Sequence, residues 1–273
     1  MIKMVAEIGS NHNNDWDRCC DLMMQAKNSG FSAVKFQLFK SESITKNKDL
    51  QKKYREQELN VAWLPKIKEF CTNTRLEFGI SPFYLDAIEQ AKDYVDFFKI
   101  SSFDILRTDL IQKCLEIKKD VYFSCGLAGN DEIRDLINLV LSHGSEKSKY
   151  YFMHCVSKYP TNYKEAAIKR MADLFILLLR HRKEHLLIGY SDHTADIDVI
   201  REAINNYASC IELHFDLNDE KGCESGFGHC WTPVLIDELY NKMEKVSYIV
   251  NGKFELTKEQ IKLRADKITG LRN

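Results

Sequence analysis

The order of apolar segments predicts an α/β chain folded as a single-domain (β/α)8 barrel. Three observations carry the prediction. Eight short, nearly continuous apolar runs alternate with eight stretches of helical spacing within about 250 residues. The runs lack the in–out alternation of a half-exposed sheet, so both faces of each strand are covered and the sheet is parallel. All eight runs finish on polar side chains, and a barrel of this kind carries its site at that rim. A doubly wound open sheet is the alternative. It requires a glycine-rich phosphate turn after the first strand, and Gly9 is instead followed by Ser10 and Asn11.

Taken in order, residues 2–9 form the first strand, which ends around Glu7. The polar turn 11–15 leads into a helix over 16–29, with Asp15 as its N-cap and Gly30 as its stop. Strand two covers 32–39, with Lys35 and Gln37 on one face because strand side chains alternate. Residues 40–60 are polar and too long for a tight connection, which marks a functional loop with some local helix. A helix over 61–74, a strand over 76–83 containing Ser81, and a short helix over 84–92 follow. Strand four, 95–102, places Lys99 and Ser101 on one face. Next come a helix over 107–118, strand five over 121–126 ending at Ser124, and a helix to 143 capped by Asn130 or Asp131. Strand six is 149–156, followed by a long helix over 163–182, strand seven over 186–192, a helix over 197–207 and strand eight over 210–217. Pro233 opens the eighth helix, which ends near 251–252. The barrel domain is therefore 1–252, and 253–273 is a basic C-terminal tail.

Composition narrows the function classes. Lys+Arg 39 against Asp+Glu 40 leaves a net charge of -1, so no global basic field recruits nucleic acid. The longest apolar run, 174–179, is too short to span a membrane, and the N-terminus lacks the apolar region of a signal peptide. Nine scattered cysteines without a C-x-x-C pair suit a reducing, cytoplasmic setting. Cys125, Cys155 and Cys210 sit in apolar runs and read as small core residues.

The strand ends then point to chemistry. His193 and His214 lie 21 residues apart, each closing an apolar run. On adjacent parallel strands they reach the same rim, where they suit a divalent metal with open positions or two structural histidines. Lys35 and Lys99 lie inside apolar runs, where an ammonium needs an anionic partner. One reading pairs them internally with Glu7 or Glu212. The other makes them, with the serine hydroxyls, a site for phosphate or carboxylate. His154 reads as a hydrogen-bonded core histidine, and His12 and His229 as loop residues open to a surface placement. The joint pattern favours metal-assisted carbon–carbon or phosphate chemistry on a small anionic substrate.

Several motifs add a resemblance. Ala6-Glu-Ile-Gly-Ser-Asn-His12, Ala33-Val-Lys-Phe-Gln37, Ser81-Pro-Phe83, Phe98-Lys-Ile-Ser-Ser-Phe103, Ser124-Cys-Gly126, His154-Cys-Val-Ser-Lys-Tyr-Pro160, Gly189-Tyr-Ser-Asp-His-Thr194 and Ile211-Glu-Leu-His-Phe215 fall in order on the strands. Together they resemble the sialic acid synthase (N-acetylneuraminate synthase) family over roughly residues 1–250. The resemblance implies condensation of phosphoenolpyruvate with an N-acetylmannosamine-type aldose, giving a nine-carbon α-keto sugar acid and phosphate. It implies His193 and His214 as ligands of a divalent metal, usually Mn2+, with Mg2+ or Co2+ as alternatives. It assigns Lys35, Ser81, Lys99, Ser102, Ser124 and Ser191 to phosphoenolpyruvate, with Ser157 in place of a frequent Asn beside Tyr159. Glu7 and Gln37 face the sugar, and Glu7 is an acid/base or orienting group.

Two departures matter. Where the family commonly has Gly-x-Asp-His in a substrate-facing loop, this chain keeps His229, which the resemblance counts as substrate-binding, but has Gly228 in place of the Asp, and Glu224 is the compensating candidate. The family's C-terminal antifreeze-like domain has no counterpart before Asn273, so any homodimer uses a barrel surface. The other readings are a non-catalytic barrel that binds metal and ligand, and a sugar-phosphate aldolase or isomerase.

Overall fold

The computed structural model describes residues 2–250, with side chains to residue 243. Eight parallel strands close into a barrel in the order β1 to β8, which excludes the open doubly wound sheet. They are β1 (Lys3–Gly9), β2 (Ala33–Leu38), β3 (Glu77–Pro82), β4 (Phe97–Ile100), β5 (Asp120–Ser124), β6 (Tyr150–His154), β7 (Leu186–Asp192) and β8 (Cys210–His214). The ring closes where β8 pairs with β1, with Lys3 opposite Cys210 and Glu7 opposite His214.

Alternation along each strand decides what fills the barrel. Residues two apart point the same way. Val5, Ala33, Phe97, Tyr122, Tyr151, Met153 and Cys210 form one buried cluster. Two residues further along their strands lie Glu7, Lys35, Lys99, Ser124 and Glu212, all buried. An apolar layer therefore lies beneath a polar one. Gly79 makes the lower layer possible, because a Cβ there would collide with the Phe97 ring. The Phe97 and Tyr122 rings stack at 4.4 Å. Below them Lys3 pairs with Glu77, its ammonium 5.0 Å from the Phe97 centroid. The opposite strand faces, such as Ala6, Ile8, Val34, Phe36 and Phe98, are fully buried.

The connecting helices follow the expected order. The helix α1 (Trp16–Asn28) starts at Asp15, whose carboxylate accepts from the N–H groups of Asp17 and Arg18. The segment 40–60 is more helical than expected, with α2 (Ser41–Ile44) and α3 (Lys48–Arg55), the latter capped by Asn47. Next are α4 (Leu64–Thr74), α5 (Leu85–Ala91) and α6 (Thr108–Glu116). The helix α7 (Asn130–His143) is not capped by Asn130 or Asp131. Gly129 takes the N-cap position, and its N–H donates to Glu132. The helix expected over 163–182 is only α8 (Arg170–Leu179). Its first half is broken by Ala167, at φ 49°, and the Ala166 carbonyl accepts from His154 instead of a later helical N–H. The helices α9 (Ile197–Asn205) and α10 (Pro233–Val250) complete the series. The described residues from Asp237 onward form a unit separate from the one that ends at Ile236. The expected basic tail lies outside the described residues. Among the described residues no helix is long and apolar enough to cross a membrane.

Candidate active site

Parity and register carry the polar side chains to the C-terminal mouth of the barrel. There a cavity of about 460 Å3 is lined by Glu7, Lys35, Gln37, Ser81, Lys99, Ser102, Ser124, Tyr159, Ser191, His193, His214 and His229. Ser157 does not line it. Its hydroxyl donates to Ser102 at 2.7 Å, behind the wall. His12 and His229 are buried, at 0% and 2% exposure, so a surface placement is wrong for both. His12 is enclosed by the rings of Phe36 and Trp63. His154 is the hydrogen-bonded core histidine expected of it. Cys125, Cys155 and Cys210 are buried, though Cys155 also lines the cavity.

The floor of the cavity is an alternating charge quartet. Lys35 Nζ lies 2.5 Å from Glu7 Oε2 and 3.8 Å from Glu212 Oε2. Lys99 pairs with Glu212 on the other side. Internal pairing and cavity lining are thus not alternatives, since both lysines do both. Burial pushes the Glu212 carboxyl up, but Lys35 and Lys99 outweigh it and hold the group at about 2. Burial pushes the Glu7 carboxyl up as well, and there it prevails over the opposing Lys35 charge. Lys99 stays charged because Glu212 outweighs its desolvation. Serine hydroxyls extend the quartet. Lys35 donates to Ser81 at 2.9 Å, and Lys99 to Ser191 at 3.1 Å. Gln37 donates to Glu7 Oε1 at 2.8 Å, fixing that carboxyl against β2.

The second group is imidazole and carboxylate. The ring centroids of His193 and His214 are 5.3 Å apart, and those of His214 and His229 are 4.6 Å apart. His193 Nδ1 donates to the Val156 carbonyl at 2.6 Å, which leaves Nε2 as its free ligand atom. His214 Nδ1 donates to Glu224 Oε2 at 2.7 Å, with the same result for its Nε2. Ligand atoms of His214, Glu224 and His229 all lie within 4.8 Å of one another. His193 is outside that triplet, and His229, expected among the substrate groups, is inside it. Burial, helped by the neighbouring His214, holds His193 well below its ordinary pKa and His229 at about 4. Both imidazoles are therefore neutral and able to donate a lone pair. His229 Nδ1 is buried without a hydrogen-bond partner. Burial would neutralise His214, but Glu224 outweighs it and raises its pKa. A donor set of imidazole nitrogens, oriented by a carboxylate, fits a borderline divalent ion.

Glu224 is held at both ends. Its Oε1 accepts from the Ser10 N–H at 3.0 Å, and its own N–H donates to Asn11 Oδ1 at 2.9 Å. Gly9, at φ +55°, leaves the space, because a Cβ there would meet the Glu224 carboxylate. Asn11 also donates to the Phe215 carbonyl, and Arg18 pairs with the buried Asp216, so the loops after β1 and β8 are stitched together. Sequence reasoning placed Glu212 at the rim but not among the site residues. The signal was present, since it sits two before His214 on the same strand face.

Comparison with known proteins agrees with this architecture. The chain is 28% identical over 231 residues to an N,N'-diacetyllegionaminic acid synthase of Campylobacter jejuni, covering 79% of this chain and 67% of that one. It is 31% identical over 241 residues to the enzyme of the same name from Legionella pneumophila, covering 79% and 64%. The chain thus spans about two thirds of the length of these relatives. An N-acetylneuraminic acid synthetase from Leptospira borgpetersenii, solved with citrate, superimposes with a TM-score of 0.83 at 25% identity, covering 100% of this chain and 93% of that one. The NeuB family model matches residues 22–253, and the chain belongs to the NeuB family.

Proposed function

We propose that the chain is a synthase that condenses phosphoenolpyruvate with an N-acetylmannosamine-type or related aldose to give a nine-carbon α-keto sugar acid and phosphate. The observation that carries this reading is one cavity in which a lysine–serine face and a histidine–glutamate cluster meet. Lys35 and Lys99 would neutralise the phosphate and carboxylate of the donor, while Ser81, Ser102, Ser124 and Ser191 fix its orientation. Tyr159 acts from the wall by packing on His193 at 4.1 Å, and Ser157 from behind it through Ser102.

His193, His214 and His229 would hold a divalent ion, which we take to be manganese, with Glu224 fixing the His214 imidazole. When bound there, such an ion polarises a carbonyl oxygen. The remaining chemistry falls to the protein's own groups. As the methylene carbon of phosphoenolpyruvate attacks the aldehyde carbon, the new alkoxide needs a proton. Glu7, held by Gln37 and paired with Lys35, is the acid/base or orienting group placed nearest to that proton transfer. Water then adds to the cationic carbon, and the C–O bond to phosphate breaks. Nine free thiols suit a reducing compartment such as the cytoplasm.

The test is product mass and phosphate release from phosphoenolpyruvate, Mn2+ and a panel of aldoses. A product one pyruvate unit heavier than its acceptor, with free phosphate, is expected. No phosphate release with any acceptor in the panel, despite bound metal, would sink the proposal.

A further inference from the structure

His193 and His214 each donate Nδ1 to a fixed oxygen, the Val156 carbonyl and the Glu224 carboxylate. His229 has no such tether among the described residues, and its buried Nδ1 is without a hydrogen-bond partner. Its place therefore depends on how its loop is anchored. The nearest anchor is Trp231, two residues on and fully buried. The Trp231 N–H donates to the His214 carbonyl at 2.7 Å, and its own carbonyl accepts from the Asp216 N–H at 2.9 Å. Trp231 thus pairs beside Phe215, along the continuation of β8. Those bonds fix the loop against β8. The indole fixes it against β7, because Nε1 donates to Asp192 Oδ2 at 2.8 Å. Asp192 is fully buried at the end of β7. Its carboxylate also accepts from the Tyr190 hydroxyl at 3.1 Å, the Thr194 hydroxyl at 2.6 Å and the Ala195 N–H at 2.9 Å. Those three donors belong to its own stretch of chain, whereas the indole comes from the loop after β8. A carboxylate buried among neutral donors costs stability, so its presence asks for a reason beyond ending a strand.

We propose that Trp231 and Asp192 are positioning residues whose hydrogen bond holds the His229 imidazole against His193. Asp192 directly precedes His193, and Trp231 follows His229 by two. The bond therefore spans the same two segments that an ion shared by these imidazoles would span, between ring centroids 6.3 Å apart. Two contacts that favour one arrangement of the same segments reinforce each other. The inference rests on the metal-binding part of the reading above and not on the condensation.

Calorimetric titration with Mn2+ tests this without needing turnover. Trp231→Phe keeps an aromatic ring in the core and removes the donor. It should weaken Mn2+ binding about tenfold, at the low end for partners of metal ligands. In a His229→Ala background the same substitution should change the affinity by less than about twofold, because no imidazole is left to position. Asp192→Asn should stay within about threefold of the wild type, since its amide oxygen still accepts from the indole while the Tyr190 and Thr194 hydroxyls accept from its nitrogen. If Trp231→Phe does not fold, the wild-type chain carries the test. In protein with isotope-labelled tryptophan, the Trp231 indole N–H is assigned by elimination with Trp16→Phe and Trp63→Phe. Its exchange with solvent should slow when Zn2+, a diamagnetic probe, is bound. Unchanged exchange, wild-type affinity in Trp231→Phe, or an equal loss in the His229→Ala background overturns the positioning role. Absence of Mn2+ binding in the wild type overturns it together with the metal reading. The expected affinities without phosphate release reject the condensation alone.

Discussion

Replacing Glu224 by alanine probes how the imidazole of His214 is held. In the native chain the carboxylate accepts the Nδ1 proton at 2.7 Å and is itself fixed by the Ser10 N–H at 3.0 Å. Without it the ring loses both its tautomer and its orientation, and a negative charge leaves the metal-capable cluster. Partners of this kind change metal affinity by about 10–100-fold, which corresponds to about 1.4–2.7 kcal/mol. One effect runs the other way. Glu224 also favours protonated His214, so its removal relieves some competition between proton and metal at Nε2. Raising the pH of the titration shrinks that offset. Calorimetric titration with Mn2+ should therefore show a loss of about 30-fold in Glu224→Ala. Glu224→Gln, which keeps an acceptor carbonyl but no charge, should lose less. Wild-type affinity in the alanine variant would refute the reasoning. So would equal losses in both variants, which would make Glu224 a direct ligand.

Further changes address the rest of the site. Lys99→Met leaves Glu212 with Lys35 at 3.8 Å and the Ser191 hydroxyl at 3.1 Å, and stability by urea unfolding should fall by about 3–5 kcal/mol. Adding Glu212→Gln should restore part of that stability but not the affinity for phosphoenolpyruvate. Gly9→Ala should cost about 1–2 kcal/mol through its left-handed backbone and should weaken Mn2+ binding by displacing the Glu224 carboxylate. A stability loss with unchanged metal affinity would show that Gly9 is not the cradle. Burial holds His12 at about 4, below its ordinary 6.5. The unfolded chain therefore takes up a proton first as pH falls, and stability is lost from about pH 6.5 down to about 4. Between about pH 7.5 and about pH 5 this contribution amounts to about 2 kcal/mol, and His12→Gln should lower the total pH dependence in urea titrations by that amount, leaving the share of His193 and His229.

The barrel was legible because its signal repeats. Eight apolar runs of one length, each ending in polar groups, leave little else for the chain to form. Parity along β2 and β4 likewise foretold that Lys35 and Gln37, or Lys99 and Ser101, share a face. What escaped was set by contacts between distant segments. The helix before β7 is short because His154 on β6 takes the Ala166 carbonyl, and periodicity within 163–182 carries no trace of that bond. Glu224 was noticed only as a stand-in for a missing residue. Its role against His214 depends on Gly9, Ser10 and Asn11, more than 200 residues earlier. The charge quartet was half visible, since two lysines in apolar runs demanded carboxylates, but which carboxylate met which lysine depended on barrel register.

The stitching of the β1 and β8 loops also bears on when this chain acquires a site at all. Ser10 and Glu224 lie 214 residues apart in the chain, and Glu7 meets His214 only across the seam between the first and last strands. Contacts separated by so much chain are slow to form, because a long loop must close before they return any stabilisation. Strands β1 to β7 could pair in sequence with their immediate neighbours, whereas the β8–β1 seam has no local route. Closure of the seam and assembly of the histidine–glutamate cluster would then be the same kinetic event, and the appearance of metal affinity during refolding would time the completion of the barrel.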